Sequence, residues 1–215
     1  MDEDSLPDIS YSIAGDADSD EIVELLATVF SESEPPAVAA GLTFADMRQL
    51  LRLITPGIVS LSLTVVAREK GSGELAGALL TDDFAAPPKL DPTQISRRFA
   101  PIFSMLEELD EQFRRERVVL PGECLHLFML GVERRFAGFG IAKSMVAACL
   151  ENGIRAGYRA AVTEATGKIS QHVFRGQGFR ERFRVSYRNF RHAQKAVFAG
   201  ISEHDGALLM EKSLG

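Results

Sequence analysis

Two glycines separated by one residue, Gly138 and Gly140, stand between a strongly apolar run and the start of a helical pattern. The first backbone N–H groups of a helix have no intrahelical partner and point outward, so they can hold a phosphate group. Glycine suits such a loop because it has no Cβ to obstruct an anion that approaches the backbone. The spacing therefore indicates a phosphate-binding loop, although a tight strand-to-helix turn without a ligand would use the same two glycines.

The residues around this loop make the pattern more specific. The apolar run before it ends at Val132, and an aromatic residue, Phe136, stands two residues before Gly138. Together with Gly140 and the small residue Ala142, these positions resemble the acetyl-CoA loop of the GCN5-related N-acetyltransferase (GNAT) superfamily.

The resemblance covers roughly residues 125–187. Tyr158–Val162 matches the family's next strand, and Ser170–Phe174 followed by Gly178-Phe179 is similar to its last helix and turn. Ala137 departs from the pattern, because the first position of the family loop is usually Arg or Gln. A phosphate cradle made of backbone amides does not depend on that side chain.

The resemblance implies an acyl-CoA-dependent N-acetyltransferase that transfers an acetyl group from acetyl-CoA to a primary amine. The amine would attack directly, and the oxyanion of the tetrahedral intermediate would be stabilised by backbone amides of the central strand. The residues that the resemblance assigns to acetyl-CoA are Leu130, Gly131, Val132, Ala137, Gly138, Phe139, Gly140, Ile141, Ala142, Ser170 and Phe174.

The attacking amine must lose a proton, and two residues are candidates for the general base. Glu34-Pro35 resembles the acidic "EP" segment of the insect dopamine-type arylalkylamine N-acetyltransferases, in which the matching glutamate is the proposed base. His126 lies on an apolar strand similar to the histidine-containing central strand of the vertebrate enzymes, and its ordinary pKa is near neutrality. A solvated loop glutamate and a hydrogen-bonded core histidine are the structural alternatives.

The general acid is harder to assign. Most members of the superfamily carry a tyrosine on the last helix where this chain has Phe174, which has no proton to donate. Ser170 lies one turn earlier on the same helix face, and Thr166 and Tyr187 are further options. Ser170 could instead bond a backbone carbonyl, Tyr187 could simply pack on the sheet, and the thiolate could leave without a proton donor.

Composition limits the partners. A net charge of −6 argues against a general nucleic-acid binder, although the basic stretch Arg175–Arg191 could serve a small anion. An acidic protein suits a cationic acceptor, so we expect a small arylalkyl- or polyamine-like amine. A non-catalytic acyl-CoA sensor is one alternative. A protein N-terminal or lysine acetyltransferase is another. The oligomeric state stays open between monomer and homodimer.

No secretory signal and no apolar run of about 18 residues occur, which predicts a cytoplasmic protein without a membrane segment. Cys124 and Cys149 are expected to be reduced, and Cys149 lies on an apolar helix stripe typical of core packing. The four histidines show no paired spacing, so we expect no metal site.

The order of apolar patterns predicts an α/β fold, with a mixed, mostly antiparallel sheet flanked by helices. We expect one acyltransferase domain over residues 1–215, with a flexible leader at 1–7 and a loop and helical insertion at 83–122 before the central strand. Strands are predicted at 9–13, 58–68, 75–80, 124–132, 160–163, 179–187 and 207–212. Helices are predicted from Asp16 to Ser31, from Thr43 to Pro56-Gly57, at 95–117 with a bend or restart at Pro101, from Ile141 to about Gly157, and at 168–175, with 34–36 extended.

Overall fold

The computed structural model describes residues 7–215, so residues 1–6 of the predicted leader lie outside the described residues. The strands are β1 (Ile9–Ile13), β2 (Val65–Glu69), β3 (Leu75–Asp83), β4 (Cys124–Val132), β5 (Ala160–Ala165), β6 (Arg180–Ser186) and β7 (Gly206–Ser213). The α-helices are α1 (Ser19–Ser33), α2 (Pro35–Ala39), α3 (Phe44–Val59), α4 (Ala100–Glu116), α5 (Ile141–Arg155) and α6 (Lys168–Gly176).

The described strands form one sheet in the order β1-β2-β3-β4-β5-β7-β6. Every neighbouring pair is antiparallel except β4 and β5, which run parallel and are connected through α5. The predicted α/β fold with a mixed, mostly antiparallel sheet is therefore confirmed. The parallel pair lies at the centre, where the carboxyl ends of two strands meet at one edge.

Helices cover both faces of the sheet, because successive strand residues point to opposite sides. Leu79 belongs to the cluster that packs under α5 and α6, whereas its neighbour Leu80 packs under α1 and α3. On that second face, α4 covers β5, β6 and β7 with three buried side chains. These are Met105, Leu109 and Phe113.

At two places the chain is helical where proline residues in the sequence predict that it is not. Pro35 and Pro36 begin the short helix α2 instead of an extended segment, because proline is tolerated in a first helical turn that has no intrahelical N–H donors. Pro56 lies inside α3, which continues to Val59. Ile58 and Val59 extend the buried stripe of that helix, so the strand predicted at 58–68 is wrong over its first part and β2 begins at Val65.

Two strands are longer than predicted, and the additional residues contribute side chains to the site. β3 continues beyond Leu80 to Asp83, and β5 continues beyond Thr163 to Ala165. The helix predicted at 95–117 with a bend or restart at Pro101 is a 3-10 turn at Arg97–Phe99 followed by α4, which begins at Ala100 with Pro101 in its first turn, so the predicted restart is confirmed. The longer strands place Asp82 and Glu164 in the sheet, beside the central strand.

Candidate active site

The parallel strands β4 and β5 separate from one another partway along their length. They pair only at Cys124–Ala160, Leu125–Ala161 and His126–Val162. On its other side β4 remains paired with β3 as far as Val132, with a bulge between Leu127 and Met129. Because β4 has no partner toward β5 beyond His126, backbone groups of its second half are available to a ligand that enters between the two strands.

The glycine loop lies at the open end of this gap, directly after β4. Gly138 has φ +87° and Gly140 has φ +78°, a region that side chains with a Cβ rarely adopt. Nothing lies within 4 Å of the place where a Cβ would project at either glycine. The two glycines are therefore required by the backbone conformation, and the space above them is open to a ligand.

The N–H groups of this loop are available as donors. The N–H of Ala137 donates to the carbonyl of Arg134, and the next such bond is the one from Ser144 to the carbonyl of Gly140. Between them, residues 138–143 donate to no other backbone or side-chain acceptor in the described part of the chain outside the helix ladder. The first turn of α5 adds its positive dipole end, so the arrangement fits a pyrophosphate.

The other residues assigned to acetyl-CoA fall into two groups. Leu130, Val132 and Ala142 are partly buried and pack against the core under α5, with Ile141 buried beside them. Gly131 faces α1, where a Cβ would come within 2.6 Å of Leu26 Cδ2. In the loop itself, Phe139 is 48% exposed and Ala137 has an extended backbone.

Glu34 lies at the corner between α1 and α2 and is the N-cap residue of α2. Its Oε2 accepts a hydrogen bond of 2.5 Å from the N–H of Ala37. Burial raises the pKa of Glu34 to about 7, although hydrogen bonds from the side chain of Thr166 and the backbone of Ala37 act in the opposite direction. Near neutrality this carboxyl is divided between its protonated and ionised forms, which is the condition that favours a general base.

The loop between β5 and α6 meets this corner. Gly167 lies close to the ring of Pro35, since a Cβ on Gly167 would be 3.7 Å from Pro35 Cδ. Ser170 Oγ donates to the carbonyl of Gly167 at 2.9 Å and accepts from its N–H, which closes the first turn of α6. The predicted residues Glu34 and Ser170 are therefore brought to the same end of the sheet.

Tyr187 lies near the same corner and contacts the β5–α6 loop. Its hydroxyl donates to the carbonyl of Thr166 at 2.6 Å, and the side chain is buried. Burial and the nearby charge of Glu34 raise the pKa of Tyr187 well above its usual range. His204 Nε2 contacts the same carbonyl at 2.5 Å, so the Thr166 carbonyl has two neighbours.

Phe174 lies in the core. It is buried and makes an edge-on contact with Phe179, with ring centroids 5.2 Å apart. Cys149 is buried as well, and burial raises the pKa of its thiol to about 12. A thiol with that pKa is a poor nucleophile, which agrees with the expected core position of Cys149.

His126 is separated from Glu34 and belongs to a second cluster of ionisable groups. Its Nδ1 lies 2.8 Å from Asp82 Oδ1 and its Nε2 lies 2.7 Å from Glu164 Oε2. Burial alone would lower the pKa of His126, but the charges and hydrogen bonds of Glu164 and Asp82 outweigh it and raise the pKa well above its usual value. The same contacts lower the pKa of Glu164 against the effect of its burial.

A fourth member of this cluster comes from the insertion helix. Burial and the charge of Glu164 raise the pKa of Asp110 to about 8. The sequence prediction missed Asp82, Asp110 and Glu164 because they lie on three elements far apart in the chain. One signal was present, since Asp82-Asp83 interrupts an apolar strand run where charged residues are unexpected.

A groove of about 740 Å³ lies at the opposite edge of the sheet, where β5 begins and β7 ends. Its position separates it from the glycine loop, so we do not assign it to acetyl-CoA. The basic stretch Arg175–Arg191 contributes Gly178, Arg180 and Arg182 to its lining. Its charged lining consists of Arg117, Arg159, Arg180, Arg182, Lys212, Glu123 and Glu211.

Within residues 7–215, no helix is both long and apolar enough to cross a membrane. Over the same range, no group of three or more His, Cys, Asp or Glu side chains is arranged to hold a metal ion.

A family model described as the acetyltransferase (GNAT) family matches residues 62–179, which is more than half of the chain. The matched segment includes β4, the glycine loop, β5 and α6. Glu34 lies before it and Tyr187 after it.

Solved structures of similar shape cover nearly the whole chain. The C-terminal condensation domain of Ebony, in complex with beta-alanyl-dopamine, has a TM-score of 0.88 at 15% identity, over 96% of this chain and 99% of that one. Arylalkylamine N-acetyltransferase 2 from Aedes aegypti has a TM-score of 0.81 at 21% identity, with coverage of 97% and 100%. A polyamine N-acetyltransferase from Drosophila melanogaster has a TM-score of 0.73 at 17% identity, with coverage of 96% and 100%. At these identities the similarity shows the fold.

Proposed function

The chain belongs to the acetyltransferase (GNAT) family, and on that premise we propose that it transfers an acetyl group from acetyl-CoA to the primary amine of a small molecule. The observation that carries the proposal is the gap between β4 and β5, with the donor-rich glycine loop at its open end. The amine acceptor is supported by the named activities of structures with the same fold, which include arylalkylamine and polyamine N-acetyltransferases.

The family implies an acyl-CoA co-substrate, and the residues at the gap fit one. When bound, acetyl-CoA supplies an activated thioester carbonyl. The N–H groups of Gly138 to Ala142 would hold its pyrophosphate, and open space above both glycines admits it. Backbone amides near Leu130 and Val132 would donate to the carbonyl oxygen as negative charge develops there.

Gly138→Val tests this assignment, because a β-branched residue cannot adopt φ +87° and its side chain would project into the space for the phosphates. We expect acetyl-CoA affinity to fall at least about 100-fold, since several charge-assisted hydrogen bonds are lost together. Gly41→Val is the matched control, with φ +69°, open space around it and a position away from the loop. Equal loss of affinity in both variants would contradict the assignment.

Glu34 is the general base of the proposal. It is partly buried, its pKa lies at about 7, and it adjoins the β5–α6 loop at the open end of the gap. A base with this pKa is ionised in a large fraction of molecules at neutral pH and still takes a proton readily. The charge of Glu34 would also attract the cationic form of the amine to the site.

Ser170 is favoured over Tyr187 as a proton donor to the departing thiolate. The hydroxyl of Ser170 is partly exposed on the first turn of α6 and rotates about one bond. Both hydroxyls donate to a backbone carbonyl, Ser170 to Gly167 and Tyr187 to Thr166, but Tyr187 is buried. We therefore assign Tyr187 to holding the β5–α6 loop in place.

A second candidate function is non-catalytic acyl-CoA binding, and the burial of Phe174 where the family usually has tyrosine favours it. Release of free thiol from acetyl-CoA, measured across a panel of arylalkylamines, polyamines and a lysine peptide, separates the two. Turnover of at least one small amine with a rate far above the peptide supports the proposal. Tight acetyl-CoA binding with no turnover of any amine would establish the binding function instead.

A further inference from the structure

We propose that His126 is a positioning residue that acts as an imidazolium bridge across the divergence of β4 and β5, and that it does not act as a general base. The inference deepens the proposed acetyl transfer and rests on it for its kinetic consequences. The bridge itself rests only on the contacts of four side chains, from β3, β4, β5 and α4.

The hydrogen bonds around the ring require the cation. Nδ1 and Nε2 of His126 each lie within 2.8 Å of a carboxylate oxygen, from Asp82 and Glu164. A neutral imidazole has one N–H donor and one bare nitrogen lone pair, so one of these contacts would set two acceptors against each other. Only the imidazolium donates to both carboxylates. A ring that already carries both protons cannot accept one from an amine.

The imidazolium bridge lies at the point where β4 and β5 separate. His126 is the last residue of β4 that pairs with β5, opposite Val162. Glu164 is two residues further along β5 and points to the same face, because strand side chains alternate. The ion pair from His126 to Glu164 therefore spans the gap at its narrow end, while Asp82 on β3 holds the imidazolium from the other side.

The insertion helix closes the cluster. Asp110 Oδ1 and Glu164 Oε1 are both buried and have no hydrogen-bond partner within residues 7–215, and the two carboxyl groups are close enough to influence each other's pKa. Two ionised carboxylates have no donor between them, and the raised pKa of Asp110 keeps a proton on its carboxyl at neutral pH that can be donated to Glu164. Glu164 is thus fixed by His126 on one side and by Asp110 on the other.

Within residues 7–215, the charged groups that act on the pKa of His126 are Glu164 and Asp82. Phe84 makes an edge-on contact with it at 5.7 Å and Phe128 a tilted contact at 5.4 Å, so the remaining surroundings are apolar. Arg114 on α4 acts on Asp110 but donates to the carbonyl of Phe84 at 2.6 Å. In this dry environment the attraction between the charges is only weakly screened, and an ion pair whose hydrogen bonds are satisfied suits a rigid spacer.

The protonation state can be measured directly by nitrogen-15 NMR of the imidazole rings in the intact protein. His126→Gln assigns the signal among the four histidines. We expect both ring nitrogens of His126 to carry protons from pH 6 to at least pH 8. A ring that loses a proton near its ordinary pKa of about 6.5 would overturn the proposal, whatever the chain catalyses.

Kinetics test the positioning role. His126→Gln removes the cation, and we expect kcat for acetyl transfer to fall about 10-fold to 100-fold through misplacement of β4. The apparent pKa of the acidic limb in the pH profile of kcat/KM should be the same as in the wild type. His126→Lys restores a cation between the two carboxylates and should recover at least part of that loss. His192→Gln is the control for a histidine far from the cluster.

The outcomes are distinct. Loss of the acidic limb in both His126 variants would make His126 the base and overturn the proposal, as would unchanged kcat in His126→Gln. If no amine is acetylated at all, the proposed function fails, and the NMR result still decides whether the imidazolium bridge exists.

Discussion

Two buried carboxyl groups lie near the carboxyl end of β5, and they differ in what surrounds them. Glu164 has an imidazolium at 2.7 Å, and the pKa of its carboxyl is lowered despite burial. Glu34 has hydrogen bonds from Thr166 and Ala37, no cation within residues 7–215 contributes to its pKa shift, and burial raises its pKa to about 7. Burial with a cation gives a fixed charge that holds structure, whereas burial without one gives a carboxyl that can exchange protons near neutrality.

The largest effect should come from removing the carboxylate that exchanges protons. Glu34→Gln keeps the shape and can still accept a hydrogen bond from Ala37, so the fold and acetyl-CoA affinity should be preserved. We expect kcat/KM for acetyl transfer to fall about 10²-fold to 10⁴-fold, the range for loss of a general base. Steady-state kinetics with Glu32→Gln as the exposed neighbouring control measure this. A loss of less than about threefold would remove Glu34 from the mechanism.

The opposite pattern is expected for the carboxylate that holds structure. Glu164→Ala leaves His126 with one carboxylate and a buried cavity, which should lower the free energy of unfolding by about 3–5 kcal/mol. Urea denaturation measures this, with the exposed helix residue Glu151→Ala as control. If Glu164→Ala is as stable as the control, the ion pair contributes nothing and the contrast between the two glutamates fails.

The two raised pKa values of the His126 cluster give stability a specific pH dependence. A raised histidine pKa stabilises the fold fully below the unfolded value of about 6.5, and this stability is lost as pH rises through the folded pKa. Asp110, with a pKa of about 8 in the fold, also keeps a proton that the unfolded chain releases. We therefore expect unfolding free energy to decrease from pH 7 to pH 9, by at most about 1.4 kcal/mol per pH unit for each such proton.

Between pH 7 and pH 9, the unfolding free energy of Asp110→Asn should decrease less steeply with pH than that of the wild type. The variant lacks one of the two protons that the folded protein keeps and the unfolded chain releases. An equal slope in the wild type and in this variant would mean that the Asp110 proton is absent. Glu34 adds little to the slope in this range, since its pKa of about 7 lies at the lower limit.

The smallest effect is expected at the tyrosine beneath Glu34. Tyr187→Phe removes the hydrogen bond to the Thr166 carbonyl, which His204 still contacts. We expect a loss of about 1 kcal/mol in unfolding free energy and less than about a fivefold change in kcat. A loss of kcat near that of Glu34→Gln would return Tyr187 to the role of general acid.

The sequence could predict what is local. The glycine loop, β4 and α5 carry their conformation in consecutive residues, and their predicted bounds agree with the structure. Glu34 was predicted as a site residue, but the helix after it was not, because Pro35-Pro36 suits both an extended segment and a first helical turn.

The cluster around His126 could not be predicted in the same way. Asp82, Asp110 and Glu164 come from β3, α4 and β5, and only tertiary packing brings them to one histidine. The sequence prediction also ended β5 at Thr163. It therefore placed Glu164 one residue beyond the strand, and the contact between Glu164 and His126 was not predicted. Long-range charge pairing leaves little trace in the spacing of a single sequence.

The most direct test of the account is the pH dependence of kcat/KM for acetyl transfer to a primary amine. We predict an acidic limb with an apparent pKa of about 7, distinct from ionisation of the amine itself near 10, that disappears in Glu34→Gln and persists in His126→Gln. A limb near 7 that survives in Glu34→Gln and disappears in His126→Gln would contradict it, because His126 and not Glu34 would then be the group that exchanges the proton.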